Sequence, residues 1–89
     1  MKAIWKFPLD LDVRQVVKMP KGAKTLDIQM QNGQFCLWAL VDTAAEKVDV
    51  VICVHGTGHD VQDADMEKQI YLSTVQRGRY VWHFFKEER

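Results

Sequence analysis

Cys53, His55, His59 and Asp60 place four metal-binding side chains of three types within one short stretch. Thiolate, imidazole and carboxylate suit zinc, and a strand end with its following loop could gather them. A structural site normally needs four soft or borderline ligands, and no second pair at short spacing stands elsewhere in the chain. The spacing therefore favours a core cysteine beside two loop histidines, with no metal and no cofactor. A nucleophile with its base is no better supported. Ser73 is the only serine and falls mid-strand, and Cys36 has no base near it in sequence.

The same stretch contains Gly56-Thr57-Gly58-His59. Two glycines around a threonine let backbone N–H groups approach an anion closely. It is not a P-loop, because the Lys-Ser/Thr pair and the following helix are missing. His55-Gly56-Thr57 also matches the H-x-T element of two-histidine phosphoesterases. Those enzymes face two such elements toward each other, one for each half of an acid–base pair. Here His83 is followed by Phe84 and Phe85, so the second element is lacking.

The aromatic residues are Trp5, Phe7, Phe35, Trp38, Tyr71, Tyr80, Trp82, Phe84 and Phe85. Most suit a core. Trp38 and either Trp82 or Tyr80 have polar neighbours on their strand faces, which fits base stacking or a subunit contact. The expected ligand set is Trp38, Gly56, Thr57, Gly58, His59 and Arg79, for a small anionic molecule. The expected oligomer interface is Cys36, Trp38, Tyr80 and Trp82.

These residues must be positioned by strands, because apolar residues alternate with a period of two far more often than at helical spacing. Strands are expected at 2–9, 13–19, 25–31, 34–42, 47–55, 69–76 and 79–86. Pro8 places the first at an edge or ends it. Asn32-Gly33 between two alternating runs predicts a type I′ hairpin turn. That register pairs Met30 with Phe35, Ile28 with Leu37 and Leu26 with Ala39 on the core side. Gln29 then meets Cys36, Asp27 meets Trp38 and Thr25 meets Leu40 on the other. A second hairpin, closed at Arg77-Gly78, sets Tyr80 opposite Val75, Trp82 opposite Ser73 and Phe84 opposite Tyr71. Its reverse face pairs His83 with Leu72 and Phe85 with Ile70. Residues 56–65 form the longest loop, with at most a helical turn at 66–68. Residues 86–89 form a charged tail expected to fray.

About six antiparallel strands with two tight hairpins predict an all-β fold: one domain over 1–89, a compact small sandwich or an open barrel. The last strands are apolar on both faces, whereas one sandwich has a single interior. The second apolar face is therefore expected to lie against a second subunit.

Length and composition agree. Eighty-nine residues bury about 64 % of the unfolded chain's surface, enough for one modest core. Twelve basic and twelve acidic residues cancel, which argues against a nucleic-acid polymer as partner and leaves little repulsion between copies. No apolar run is long enough for a membrane helix, and the first residues lack the apolar core of a secretion signal. Two cysteines are few for a small secreted domain, so a reducing, cytoplasmic setting is expected. A single Cys36–Cys53 disulfide stays open.

The chain resembles an uncharacterised family of small phage and prophage proteins of about this length. The resemblance rests on Lys2-Ala3-Ile4-Trp5-Lys6-Phe7-Pro8-Leu9, Met19-Pro20-Lys21-Gly22-Ala23 and Ile28-Gln29-Met30-Gln31-Asn32-Gly33. It continues through Cys36-Leu37-Trp38-Ala39-Leu40-Val41-Asp42, Gly56-Thr57-Gly58-His59 and Trp82-His83-Phe84-Phe85. It implies a stand-alone phage protein in the host cytoplasm and assigns no catalytic residue. The function expected is non-enzymatic: binding of a small ligand, as in sponges that trap a host immune signalling nucleotide. The alternatives are an inhibitor of a host protein acting through an apolar β face, and a phosphodiesterase.

Overall fold

The computed structural model describes residues 1–88. Its strands are β1 (Lys2–Leu9), β2 (Arg14–Pro20), β3 (Lys24–Gln31), β4 (Gln34–Asp42), β5 (Lys47–Gly56), β6 (Gln69–Arg77) and β7 (Tyr80–Glu87). The one helix among these residues, α1 (Asp63–Lys68), is a short turn. It begins three residues before the turn expected at 66–68. Among the described residues no helix is long and apolar enough to cross a membrane. Two antiparallel sheets form, β1-β4-β3 and β2-β5-β7-β6, and they do not close into a barrel.

Alternation decides which side chains meet between the sheets. Phe35, Leu37, Ala39 and Val41 point inward from β4, Ile52 and Val54 from β5, and Phe84 from β7, all buried in one cluster. Phe35 and Phe84 meet there from opposite sheets at 5.3 Å between ring centres, the tilted geometry aromatic pairs prefer. The fold is a flattened body of 41 × 33 × 16 Å. Its accessible surface of 5932 Å² exceeds the roughly 5,400 Å² expected for this mass, as a thin shape requires.

The sheets join where β3 meets β6. Ser73, the one buried polar residue among those described, donates its hydroxyl to Asp27 Oδ1 at 2.8 Å and approaches the Ile28 carbonyl at 3.2 Å. Both strands carry a bulge beside this seam, at Leu26 and at Leu72. A bulge bends and twists its strand, which helps each edge turn toward the other sheet. The opposite edges, β1 and β2, carry Lys2, Lys6, Pro8, Lys18 and Pro20, residues that discourage edge-to-edge pairing.

The first hairpin follows its expected register from Asp27 to Gln31. Asn32 (φ 51°) and Gly33 (φ 77°) both take positive φ, as a type I′ turn needs. Beyond the bulge the register slips. Thr25 takes the place opposite Ala39, and Leu26 is 47 % exposed rather than core.

The second hairpin is displaced by two residues from the expected register. It turns at Gly78-Arg79, not Arg77-Gly78, so Arg77 pairs with Tyr80, Val75 with Trp82, Thr74 with His83 and Ser73 with Phe84. Tyr71, not Ile70, lies opposite Phe85. Gly78 alone has positive φ in this turn (61°). That is type II′ geometry, which wants glycine at the first central position.

The charged end does not fray at Lys86 and Glu87. They pair with Ile52 and Gln69, and Glu87 accepts a 2.9 Å hydrogen bond from Arg14 Nε. Residue 89 lies outside the described residues.

β5 and β6 both run antiparallel to β7, so they are parallel to each other with β7 between. Their connection, residues 57–68, must cross a sheet face to return to the starting end, which takes about a dozen residues. Val51 and Cys53, on the outer side of β5, are buried within the chain itself.

Candidate functional site

β5 ends at Gly56, directly opposite Trp82 of β7. The loop after it folds back, with the His59 N–H donating to the Gly56 carbonyl at 3.0 Å and Gly58 at φ +86°. This puts the His59 ring edge-on to the Trp82 indole, 6.2 Å between ring centres. Gly56 makes the contact possible through size, not through φ. A Cβ there would lie 2.7 Å from His59 Cε1 and 3.0 Å from Trp82 Cζ3. The Thr57 N–H donates to the Val81 carbonyl at 3.2 Å. Two of the loop's backbone donors are therefore spent internally.

The second hairpin supplies the facing wall. Its turn projects Arg79, whose guanidinium sits 5.3 Å from the Tyr80 ring centre and donates to the Tyr80 hydroxyl at 3.2 Å. Tyr80 leans on Trp82 at 6.1 Å. Together Gly56, Thr57, His59, Arg79, Tyr80, Val81 and Trp82 line an open cleft of about 300 Å³. It offers one permanent cation, one imidazole and two aromatic rings to a ligand.

Four of the six expected ligand residues thus meet at this cleft: Gly56, Thr57, His59 and Arg79. Gly58 belongs to the same turn but does not line it. Trp38 lies elsewhere, half-buried on β4 between Lys6 and Asp27. Of the expected interface residues, Tyr80 and Trp82 line the cleft. Cys36 is buried within the single chain on the outer row of β4. The Lys6 ammonium donates to Gln31 Oε1 at 2.8 Å, spanning the row that Cys36 occupies.

On the outer face of the four-stranded sheet the register sets His55, His83 and Thr74 side by side. His83 Nε2 lies 2.7 Å from Thr57 Oγ1, and its Nδ1 lies 3.0 Å from Thr74 Oγ1. Thr74 Oγ1 is 2.7 Å from the Tyr71 hydroxyl. Sequence reasoning missed this hydrogen-bonded chain. His83 had been paired with Leu72, and the turn at Gly78-Arg79, legible from the glycine preference of type II′ turns, would have moved it to Thr74.

The metal-type residues diverge. His55 Nε2 pairs with Gln69 Oε1 at 2.8 Å, while His59 packs on Trp82. Burial, aided by the Glu87 carboxylate, pushes the Cys53 thiol up, which makes it a poorer ligand and nucleophile. Among the described residues no three His, Cys, Asp or Glu side chains are placed to hold a metal. Both cysteines are free thiols. At the seam, hydrogen bonds from Gln29, Ser73 and the Ile28 N–H hold the Asp27 carboxyl below its usual range.

A second cleft, about 270 Å³, opens at the other end of the four-stranded sheet among Met19, Val48, Val50, Ile70 and Lys86. No sequence pattern pointed to it, since its walls come from strands distant in the chain.

Comparison with curated proteins and with solved structures finds no match. A family model described as a domain of unknown function, DUF7352, matches residues 1–89, and the chain belongs to that family.

Proposed function

We propose that this protein captures a small anionic ligand carrying a flat ring, a nucleotide by class, in the cleft between the Gly56–His59 loop and the start of β7. One observation carries the reading: Arg79, His59, Tyr80 and Trp82 converge on a single open cleft. A guanidinium recognises phosphate oxygens, and indole and phenol rings stack on any base without needing its sequence identity. The volume is at the lower end for small-molecule sites, which suits one base and one phosphate. In a host cytoplasm, capture by such a phage protein lowers the free concentration of a signalling nucleotide.

Calorimetric titration with a panel of cyclic and ADP-ribose-type nucleotides, with inorganic phosphate as comparator, tests this. The expected result is saturable binding of at least one nucleotide, stronger than phosphate and lost in Arg79→Gln. If no nucleotide binds the wild type, the reading gives way to a protein partner engaged through exposed apolar residues such as Ile4 and Val16.

A further inference from the structure

We infer that the free edge of β1 is a docking site for an extended acidic peptide, which adds a strand to the three-stranded sheet and sets its carboxylates opposite Lys2 and Lys6. The site lies on the sheet that does not carry the cleft, so it stands whether or not the cleft takes a nucleotide.

The backbone defines the edge. β1 has one neighbour, β4, and in an antiparallel pair only alternate residues exchange hydrogen bonds with the partner strand. The Thr43 N–H donates to the Met1 carbonyl at 2.9 Å, which fixes the parity. Carried along the register, Ala3, Trp5 and Phe7 bond to β4, while Lys2, Ile4 and Lys6 aim their N–H and C=O groups away from it. Pro8 shares that outward parity, so its missing N–H costs the sheet nothing and ends the template.

The side chains say which strand fits. Lys2, Ile4 and Lys6 share the outer face and are exposed, Ile4 at 61 %. Antiparallel pairing with a second copy, centred on Ile4, sets each Lys2 against a Lys6, and like charges directly opposite are destabilising. An acid–x–valine–x–acid segment in the same register turns both repulsions into attractions. Its valine lies beside Ile4, in the row that continues to Leu40. On the inner face its alternate residues lie beside Trp5, which packs half-buried against the core. In such strand addition main-chain hydrogen bonds give affinity and alternate side chains give specificity.

β2, the other free edge, supplies the contrast. It repeats the pattern as Arg14-x-Val16-x-Lys18, with the same outward parity set by the Val54 N–H donating to the Val13 carbonyl at 3.1 Å. Its cations are already neutralised, Arg14 by Glu87 at 2.9 Å and Lys18 by Asp49. On β1, Lys6 donates to the neutral amide oxygen of Gln31, and Lys2 has no ion pair among the described residues. Charge complementarity therefore selects β1 for an acidic strand.

The probe is the capped heptapeptide Thr-Glu-Thr-Val-Thr-Glu-Thr, titrated into the whole chain and followed by amide NMR shifts and hydrogen exchange. The expected result is saturable binding, with shifts and new exchange protection at Lys2, Ile4 and Lys6 and none at residues 14–18. Methylating the valine nitrogen removes a main-chain donor to the edge and should weaken binding about tenfold, the scale of one hydrogen bond. Methylating the nitrogen of the threonine after it, which points away from the edge, should leave affinity unchanged. Both lysines are exposed, so the Lys2→Glu/Lys6→Glu double variant keeps the fold. It should lose the acidic probe and bind Thr-Lys-Thr-Val-Thr-Lys-Thr instead. Absence of binding to wild type, shifts centred on β2 or the cleft, equal affinity for the N-methylvaline probe, or an unswapped preference in the double variant each overturns the inference.

Discussion

The two hairpins share a plan and differ in what they carry. In β3–β4 the turn is Asn32-Gly33, both residues have positive φ, and the core-side pairing runs as the alternation dictates up to the bulge. In β6–β7 the turn is Gly78-Arg79, the turn itself bears the cleft's cation, and the strand after it bears both its rings. One hairpin spends its aromatic Phe35 on the core. The other splits its aromatics, with Phe84 inside and Tyr80 at the mouth. The facing sheet makes the difference: Phe35, though close to its turn, meets Phe84 from the opposite sheet, whereas Tyr80 is 55 % exposed and available to a ligand.

The comparison can be broken first at the turns. Gly33→Val forces a β-branched residue to positive φ and should cost about 3 kcal/mol, the upper end for such strain. A denaturant midpoint unchanged from wild type would mean that the turn relaxes freely. The same change at Gly78 (φ 61°) should destabilise similarly and also weaken ligand binding, because Arg79 and Tyr80 follow directly. Loss of stability with full affinity would detach the cleft from that turn.

The seam joining the hairpins comes next. Ser73→Ala removes a hydrogen bond to a carboxylate and should cost about 2 kcal/mol in thermal or chemical unfolding. A neutral result would show that the Asp27 contact adds nothing to the sheet–sheet join.

Aromatic substitutions sharpen the contrast in function. Tyr80→Ala should weaken nucleotide binding about tenfold, the lower range for a lost stack, while Trp38→Ala in the other hairpin leaves it unchanged. If Trp38→Ala weakens binding as well, a second copy brings its outer face to the cleft, and sedentary monomers cannot account for the site.

The smallest effect is on pH dependence. The folded-state pKa of Asp27 is depressed by hydrogen bonds. Its contribution is therefore complete above the ordinary carboxylate range, near pH 4, and is lost as pH falls through the lower folded value. Unfolding midpoints measured on acidification should show this loss, and Asp27→Asn should reduce it. An identical acid limb in the variant would assign the dependence to other carboxylates.

Local chemistry determined much of this protein. Period-two alternation placed the strands, and Asn32-Gly33 fixed one register because only that turn satisfies two positive φ values. The Gly56–His59 loop stood out because two glycines around a threonine can present backbone N–H groups to an anion, although two of those donors are spent inside the structure. What the sequence left open depended on contacts between distant segments. The bulge at Leu26, beside the β3–β6 seam, moves one residue from core to surface. Val51 and Cys53, on the outer side of β5, are buried within a single chain, which alternation along one strand does not show. Trp38 and the loop, grouped by residue type, fall on different sheets. Thr57, His83, Thr74 and Tyr71 come from three segments, and only the register of β5, β7 and β6 brings their hydrogen bonds into one chain, because side chains meet across strands by pairing and not by distance in sequence.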